Sequence, residues 1–448
     1  MSAPSQPLAE PVSAQPTTQP TSSGARKRGG MFSPLKYRDY RLLFAGQLIS
    51  YLGDAFYSVA LPWYMLTDGG GVANLGLVMT AYGVPMGAST LFGGWLSDKL
   101  RPRRVMLFSD FIRTFILAGL AWLTFGGGAP FVNGVPLWAI AAFTATLGLF
   151  DGIFLPASNA VTPDLLPDEQ LQAANGLFFS LGRLAQMVGP AVAGAAVASL
   201  GSPLSFAIDA GTFAMSTLTL AFIRGRVTRP SATAHDQPTS EGEAGETGDA
   251  TAAVEYTSLW RFAFATPYFL ILLLVMIISN MINGVAEIAL PAMAHGPLHG
   301  DAQGFGFMIA AFGAGGLAGG LLASALGSRV NRGLISLSFY GMQTGAFFAL
   351  AFAPTMLAAI LCLGAFGLFN GLGNVTFMTL IQRKLPRNLL GRIMGVFAFT
   401  NFAMFPLSVA ASGFAVARYG PEPVIIAGAG LLFGALFIAL LSRDLRNL

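Results

Sequence analysis

The hydrophobic positions of the chain fall into long runs that short polar segments separate. A helix needs about 20 apolar residues to cross a bilayer, and twelve runs of roughly that length occur along the sequence. The first six predicted spans are 40–66, 75–97, 104–125, 136–158, 171–198 and 203–224. The second six are 267–291, 303–327, 334–352, 355–381, 393–417 and 422–442. The pattern predicts an all-α polytopic membrane protein with twelve transmembrane helices.

Polar segments divide these spans into two sets of six. The segment 225–258 is acidic and rich in Gly, Ser and Thr, which predicts a flexible linker. The chain starts with a stretch rich in Ser, Pro and Gln that lacks the apolar core of a signal peptide, and we expect a disordered tail there. The predicted domains are the tail at 1–35, a six-helix bundle at 36–224, the linker at 225–258 and a second six-helix bundle at 259–448.

The two halves repeat in sequence. LPDEQLQAANGLF at 166–178 matches LPRNLLGRIMGVF at 385–397, and AGAAVASLG at 193–201 matches SGFAVARYG at 412–420 with the same offset. Duplicated helical halves are typical of secondary transporters, whose substrate site lies between the halves near the middle of the membrane. The sequence therefore predicts two pseudo-symmetric halves around a central site.

Composition and charge agree with this architecture. Hydrophobic residues make up 54% of the 448 residues and charged residues only 10%, against about 25% charged in a soluble domain. Lys and Arg cluster in the tail, in the linker and in alternate loops, whereas the remaining loops hold only Arg418. By the positive-inside rule both termini are cytoplasmic, and the protein belongs in the cell (inner or plasma) membrane. The basic residues follow topology, so no nucleic-acid partner is expected.

One polar face interrupts the first span. Gln47, Ser50 and Asp54 recur at i, i+3 and i+7, which places them on one side of a helix. Asp54 lies about 14 residues, or roughly 21 Å, into the span. An acidic residue at such depth costs roughly 2.5–3.5 kcal/mol even on a mild scale, so it should face a cavity or a partner. Asp54 is the first candidate for a protonation or substrate site.

Further acidic residues lie in other spans. Asp151 is the second candidate, because it lies on a polar face of the fourth span and a carboxyl removed from water can exchange a proton. Glu287 is the third, since Asn280, Asn283 and Glu287 repeat the spacing of the first span. Asp209, near the outer end of the sixth span, is expected to be a helix-packing or interfacial group.

Arg183 is the one cation deep in a predicted span. An unpaired Arg there would be expensive, so Asp54 or Asp151 is its expected partner, in a proton-coupling or substrate site or in a static salt bridge. The second half offers polar groups without charge. The cavity-lining candidates are Gln47, Ser50, Asn280, Asn283, Asn370, Asn374 and Asn401.

The segment 93–106, GGWLSDKLRPRRVM, resembles the signature loop between the second and third helices of the major facilitator superfamily. Gly94, Asp98, Lys99 and Arg103 match the motif. A short charged loop of this kind can pair across the half-domain interface and hold one conformation; the alternative is a plain positive-inside loop. The adjoining Arg104, Asp110 and Arg113 are interpreted as one charge network with it.

The fifth span resembles the Gly-rich antiporter motif of the same family. Gly189, Pro190 and Gly194 fit it, and small residues there let helices approach closely. In the family this motif accompanies exporters that exchange substrate for protons; ordinary helix packing is the alternative.

The resemblance covers about residues 35–442, and further phrases make it similar to the twelve-helix branch that exports drugs, macrolides and siderophores in exchange for protons. It implies proton-coupled efflux of bulky hydrophobic or amphipathic compounds by alternating access. The alternatives are an importer or a lipid flippase of the same fold, and a non-transporting sensor or a pore. The implied partners are a small-molecule substrate, protons and the lipid bilayer, with the chain as a monomer. No nucleophile–base set, metal cluster or phosphate-binding loop appears, so the chain is not expected to be an enzyme or to need a cofactor or resident metal.

Overall fold

The computed structural model describes residues 30–68, 70–125, 135–224, 267–326, 333–384 and 390–442. The predicted linker and most of the predicted tail lie outside these residues. A short 3-10 helix, Ser33–Lys36, precedes twelve α-helices. The first six are α1 (Arg38–Thr67), α2 (Val72–Lys99), α3 (Pro102–Thr124), α4 (Leu137–Leu165), α5 (Asp168–Leu200) and α6 (Ser202–Phe222). The second six are α7 (Pro267–His295), α8 (Ala302–Leu326), α9 (Gly333–Leu350), α10 (Met356–Lys384), α11 (Leu390–Tyr419) and α12 (Pro421–Leu441).

The predicted all-α, twelve-helix fold is confirmed. Among the described residues, nine helices are long and apolar enough to cross a membrane, and α9 adds a shorter apolar stretch, Leu334–Leu350. Helix α1 is long enough but too polar to be counted with the nine. In α1 the polar positions include Ser50 and Asp54, which face the interior of the bundle rather than lipid.

The helices of the two halves pack in the same pairs. In the first half α2 packs on α4, α1 on α5 and α6, and α3 on α4 and α6. In the second half α8 packs on α10, α7 on α11 and α12, and α9 on α10 and α12. When six is added to both helix numbers of a pair in the first half, the result is a packed pair of the second half. The predicted internal repeat is therefore present in the packing as well as in the sequence.

The repeat extends to the tight connections between α5 and α6 and between α11 and α12. Each consists of one glycine, Gly201 or Gly420, with φ of 83° and 85° respectively. That left-handed backbone is easily adopted only by a residue without Cβ. These two glycines end the matched segments AGAAVASLG and SGFAVARYG, so the matched segments mark a turn that the fold requires twice.

Successive helices run in opposite directions, which gives the bundle two ends. We call the end where α1 begins and α6 ends the basic end, because Lys36, Arg38, Arg41, Lys99 and Arg103 lie there. The other is the opposite end. An indole–imidazole contact between Trp63 of α1 and His295 of α7, 5.4 Å between ring centroids, joins the halves at the opposite end.

The two halves meet along two seams, α2 against α11 and α5 against α8. Close approach occurs toward the opposite end, where Gly76 lies on the backbone of Gly413 and Gly194 on that of Gly306. The largest hydrophobic core joins both halves, whereas the basic end of the first half has a separate core around Tyr40, Met106 and Val161. The halves are thus packed together at the opposite end and have separate cores at the basic end.

Candidate functional site

Two adjoining cavities lie inside the bundle. The first, about 350 Å³, is enclosed mainly by α1, α2, α3, α4 and α6. The second, about 320 Å³, is enclosed mainly by α7, α8, α10 and α11. Ser58 of α1 and Glu287 of α7 line both, so the two cavities are compartments of one site that both halves build.

The first compartment is strongly acidic. Four carboxyl groups, from Asp54, Asp151, Asp209 and Glu287, and one guanidinium, from Arg113, lie in its wall. Ionisation of all five groups would leave three negative charges in excess. Within a membrane such an excess is expensive, and bound protons or a bound cation would offset it.

Arg113 is the cation of this wall and is only 3% exposed. Its Nη1 donates to Oδ1 of Asp110 at 3.2 Å, and its Nε lies 2.7 Å from Oδ1 of Asp151 in an ion pair. Its guanidinium lies over the rings of Phe154 and Phe213, with centroids at 4.3 and 5.1 Å. One buried cation is therefore shared by two carboxylates and rests against two aromatic rings.

Both carboxylates have further hydrogen-bond donors. Ser216 Oγ of α6 donates to Asp110 at 2.7 Å, and Tyr82 Oη of α2 donates to Asp151 at 2.6 Å. Asp54, Asp209 and Glu287, by contrast, have no cationic partner within the described part of the chain. Arg113 thus partly offsets the charge of Asp110 and Asp151, and three acidic groups of the wall lie outside this cluster.

The second compartment is apolar and aromatic. Phe305, Phe312, Phe366 and Phe405 line it, and the rings of Phe312 and Phe366 stack at 5.3 Å. Asn283 supplies a polar group. Mostly apolar walls with a few polar groups are typical of sites for drug-sized ligands.

The predicted polar face of α1 is brought to this site. Gln47, Ser50 and Asp54 all line the first compartment, and Asp54 is exposed to it. Asp151 and Glu287 join them there, although they come from other helices. Three of the four predicted coupling or substrate candidates therefore share one compartment.

The predicted asparagines are spread more widely. Asn283 lines the second compartment, whereas the amide nitrogen of Asn280 is buried without a hydrogen-bond partner among the described residues. Asn374 donates to Asn370 at 3.0 Å, and neither lines a compartment. The side chain of Asn401 lies outside the described residues.

The expected pairing of Arg183 with Asp54 or Asp151 is wrong. Arg183 is exposed, and its Nη1 donates to Gln186 at 3.2 Å, one helical turn along α5. Asp151 instead pairs with Arg113. The interpretation of Asp110 and Arg113 as part of the loop network is corrected accordingly: the pair exists, but it belongs to the cavity wall.

The loop motif between α2 and α3 has separate contacts. Lys99 Nζ lies 4.1 Å above the ring of Trp95, and Arg103 donates to the carbonyls of Leu220 and Ala221, both at 2.8 Å. Arg103 therefore satisfies the last carbonyls of α6. Gly94 faces open space and Arg104 is exposed, while the side chain of Asp98 is outside the described part.

The glycine motif of α5 lies at two interfaces. Gly189 packs against Ala55 of α1, inside the first half. The carbonyl of Pro190 and the backbone of Gly194 meet Gly306 of α8, across the seam between the halves. The expected close approach of helices is confirmed.

Asp209 was expected to be a helix-packing or interfacial group, and it is fully buried against Gly53 of the neighbouring helix α1. It also lies in the wall of the first compartment, a place that the sequence analysis did not assign to it. A signal was available, because polar residues recur along α6 with helical spacing at Ser202, Ser205, Asp209, Thr212, Ser216 and Thr219. Such a stripe predicts a buried polar seam.

Twelve helices in two equivalent halves around a shared central cavity define a secondary membrane transporter rather than an enzyme. The model of the Major Facilitator Superfamily matches residues 43–409, and the chain belongs to that family.

Relatives of known activity cover most of the chain. The multidrug efflux pump Tap of Mycobacterium tuberculosis is 26% identical over 84% of this chain and 86% of its own length. The enterobactin exporter EntS of Salmonella typhimurium is 26% identical over 91% and 93%.

Solved structures share the fold. A bacterial homologue of the iron transporter ferroportin in its inward-facing state has a TM-score of 0.65 at 18% identity, covering 90% of this chain and 98% of its own. The nucleoside transporter NupG has a TM-score of 0.66 at 15% identity, with the same coverage.

Proposed function

We propose that this transporter exports bulky hydrophobic or amphipathic compounds, of drug, macrolide or siderophore type, in exchange for protons. The observation that carries the proposal is the central site with one acidic and one aromatic compartment, joined at Ser58 and Glu287. Two relatives that are exporters, of multiple drugs and of enterobactin, support the direction of transport.

The aromatic compartment is suited to the apolar body of a cargo molecule. Phe305, Phe312, Phe366 and Phe405 offer large apolar surfaces, and burial of apolar area contributes about 25 cal/mol per Å². Polar groups of the cargo would face Asn283, Ser58 and Glu287. A flat, partly polar molecule fits this division better than a sugar or a phosphate.

The acidic compartment is suited to proton exchange. Asp54 faces the cavity and has no cationic partner among the described residues. Asp151 already forms an ion pair with Arg113, which favours Asp54 as the group that binds and releases a proton. Acidic residues inside membranes commonly mark proton pathways.

Alternating access is supported by the asymmetry of the packing between the halves. We propose that the six-helix units 36–224 and 259–448 rock about the seams of α2 with α11 and α5 with α8. We place the chain in the plasma membrane, with the basic end and both termini in the cytoplasm. The arrangement closed at the opposite end is then the inward-facing state.

Expression in a strain that lacks its own efflux pumps, followed by a susceptibility panel, tests the cargo class. We expect raised resistance to amphipathic drugs, and everted vesicles that accumulate an affected compound when a pH gradient is imposed. Accumulation in right-side-out vesicles instead would indicate the importer, and movement of labelled phospholipid between leaflets would indicate the flippase.

Asp54→Asn tests the coupling site. The amide keeps the shape of the carboxyl but does not ionise near neutral pH, so gradient-driven accumulation should fall about tenfold or more, a loss of at least about 1.4 kcal/mol of driving force. Substrate exchange without a gradient should persist. The matched control is Asp68→Asn, an exposed carboxyl at the end of α1, which should transport normally. Undiminished coupled transport by Asp54→Asn would refute the assignment.

A further inference from the structure

We propose that Asp209 of α6 is a second proton-binding residue, which exchanges its proton with the cavity through Asp54. This inference rests on the proposed proton coupling and assigns it to a pair of carboxyls rather than to one. In the transfer the O–H bond at Asp209 breaks and an O–H bond forms at the carboxylate of Asp54, with water relaying the proton where the two do not touch.

The first argument is the hydrogen bonding of the Asp209 carboxyl. Its Oδ1 accepts from Thr212 Oγ1 at 3.1 Å, whereas its Oδ2 is buried without a partner in the described part of the chain. An unpartnered buried oxygen is costly, and a carboxyl that lines an acidic cavity can keep this arrangement if the free oxygen carries a proton.

The second argument is the charge of the groups around Asp209. Helix α1 presents Asp54 and Tyr57, α3 presents Arg113, and α4 presents Asp151. Helix α5 also contacts α6 but carries no titratable residue at 184–200. The single cation among them, Arg113, already contacts Asp110 and Asp151. The Asp209 carboxyl therefore has acidic neighbours and no cation of its own among the described side chains.

The third argument comes from the repeat. The offset that matches 193–201 to 412–420 makes Gly428 of α12 the residue equivalent to Asp209 in the repeat. When Pro62 is aligned with Pro291, Ile282 of α7 is the residue equivalent to Gly53 of α1.

These four residues occupy equivalent helix crossings. Asp209 and Thr212 lie directly against Gly53, and a Cβ at Gly428 would lie 4.0 Å from Ile282. The first half fills the crossing with a carboxyl from its sixth helix, and the second half fills it with an aliphatic side chain from its first. Packing alone can thus be satisfied without charge, and the carboxyl in the first half calls for another role.

The contact with Gly53 also links Asp209 to the residue before Asp54. Because Gly53 has no side chain, the Asp209 carboxyl can lie directly on α1 at this level. A movement of α1 relative to α6 would change the surroundings of both carboxyls together, which is the coupling that a transport cycle requires.

The test uses the full-length protein and Asp209→Asn. Purified protein in lipid is titrated while the infrared carbonyl bands of protonated carboxyls are recorded, which needs no cargo. Wild type should show one more titrating carboxyl than Asp209→Asn.

A second measurement uses everted vesicles with ethidium as the probe. Asp209→Asn should lose gradient-driven accumulation about tenfold or more relative to the wild type, while exchange between equal ethidium concentrations is retained. Ser205→Ala, on the same polar stripe but with its hydroxyl donating to the backbone carbonyl of Gly201 at 3.0 Å, is the control for altered packing and should keep the titrating band.

The outcomes separate the two proposals. Two results would overturn the role of Asp209. One is that Asp209→Asn keeps the coupled ethidium transport of the wild type within twofold, and the other is that Asp209→Asn leaves the carboxyl titration unchanged. Wild type without any gradient-driven transport would overturn the proposed coupling instead, and the infrared titration would still decide whether Asp209 binds a proton. If Asp209→Asn does not fold, Asp209→Glu is measured instead. This variant keeps a carboxyl, so it should show the infrared band of the titrating carboxyl and gradient-driven transport.

Discussion

At the scale of single residues, the cavity separates two kinds of acidic group. Asp110 and Asp151 share Arg113, so one buried guanidinium offsets part of their charge. Asp54, Asp209 and Glu287 lie outside this cluster. The sequence analysis found Asp54 and Glu287 because helical spacing reveals a polar face within one helix. It could not find the partner of Asp151, since Arg113 lies on another helix and spacing within one helix does not report contacts between helices.

Replacing Arg113 should therefore cost far more than replacing Arg183. Arg113→Met leaves two buried carboxylates without a cation, and breaking a buried ion pair costs about 3–5 kcal/mol. Arg183→Met removes an exposed hydrogen bond to Gln186 and an exposed contact with the ring of Phe179, which together should contribute about 0–1 kcal/mol. Thermal unfolding of the purified protein in detergent measures the difference. Equal melting temperatures for the two variants would contradict the neutralising role of Arg113.

At the scale of helices, small residues decide where two elements touch. The polar stripe of α6 reaches α1 because Gly46 and Gly53 leave room for Thr219 and for Thr212 with Asp209. The apolar runs and the glycine-rich stretches allowed the helices and their close approach to be predicted. The direction of each approach required the three-dimensional packing, which is why Asp209 was expected to pack between helices but not to line the cavity.

Gly53→Ala and Gly211→Ala form a matched pair for this contact. Both replace a glycine within a helix, which by helix propensity alone should stabilise by about 1 kcal/mol. A Cβ at Gly53 collides with the Asp209 carboxyl and Thr212, whereas a Cβ at Gly211 meets open space. Overpacking should make Gly53→Ala less stable by about 1–3 kcal/mol, and denaturation in detergent would show it. Equal stability of both variants would mean that α1 and α6 can separate freely.

At the scale of the whole molecule, the two halves approach each other most closely where glycine backbones touch. Gly76 on α2 and Gly413 on α11 touch near the opposite end, while Gly395, closer to the basic end of α11, faces open space. The repeat in the sequence predicted this pseudo-symmetric plan. Which end the halves close at depends on the balance of contacts across both seams, and that balance has no signature in a linear sequence.

Gly413→Leu should shift the conformational equilibrium toward opening at the opposite end. The added side chain has no room against Gly76, and a penalty of about 1–3 kcal/mol on the closed arrangement changes the equilibrium roughly 5- to 150-fold. Spin labels at Leu200 and Tyr419, with Cys362 replaced by serine, would report a longer distance across that end. Gly395→Leu is the control and should leave the distance unchanged; a shift of equal size there would contradict the mechanism.

The polar face of α1 also has a consequence for how the protein is made. Helix α1 leaves the ribosome before its neighbours, and the helices that cover much of its surface, α5 and α6, follow more than a hundred residues later. Until they arrive, Asp54 meets lipid or the insertion machinery at a cost of roughly 2.5–3.5 kcal/mol. Stable insertion of α1 into the membrane therefore depends on α5 and α6. We expect the helices of the first half to insert together and not one at a time.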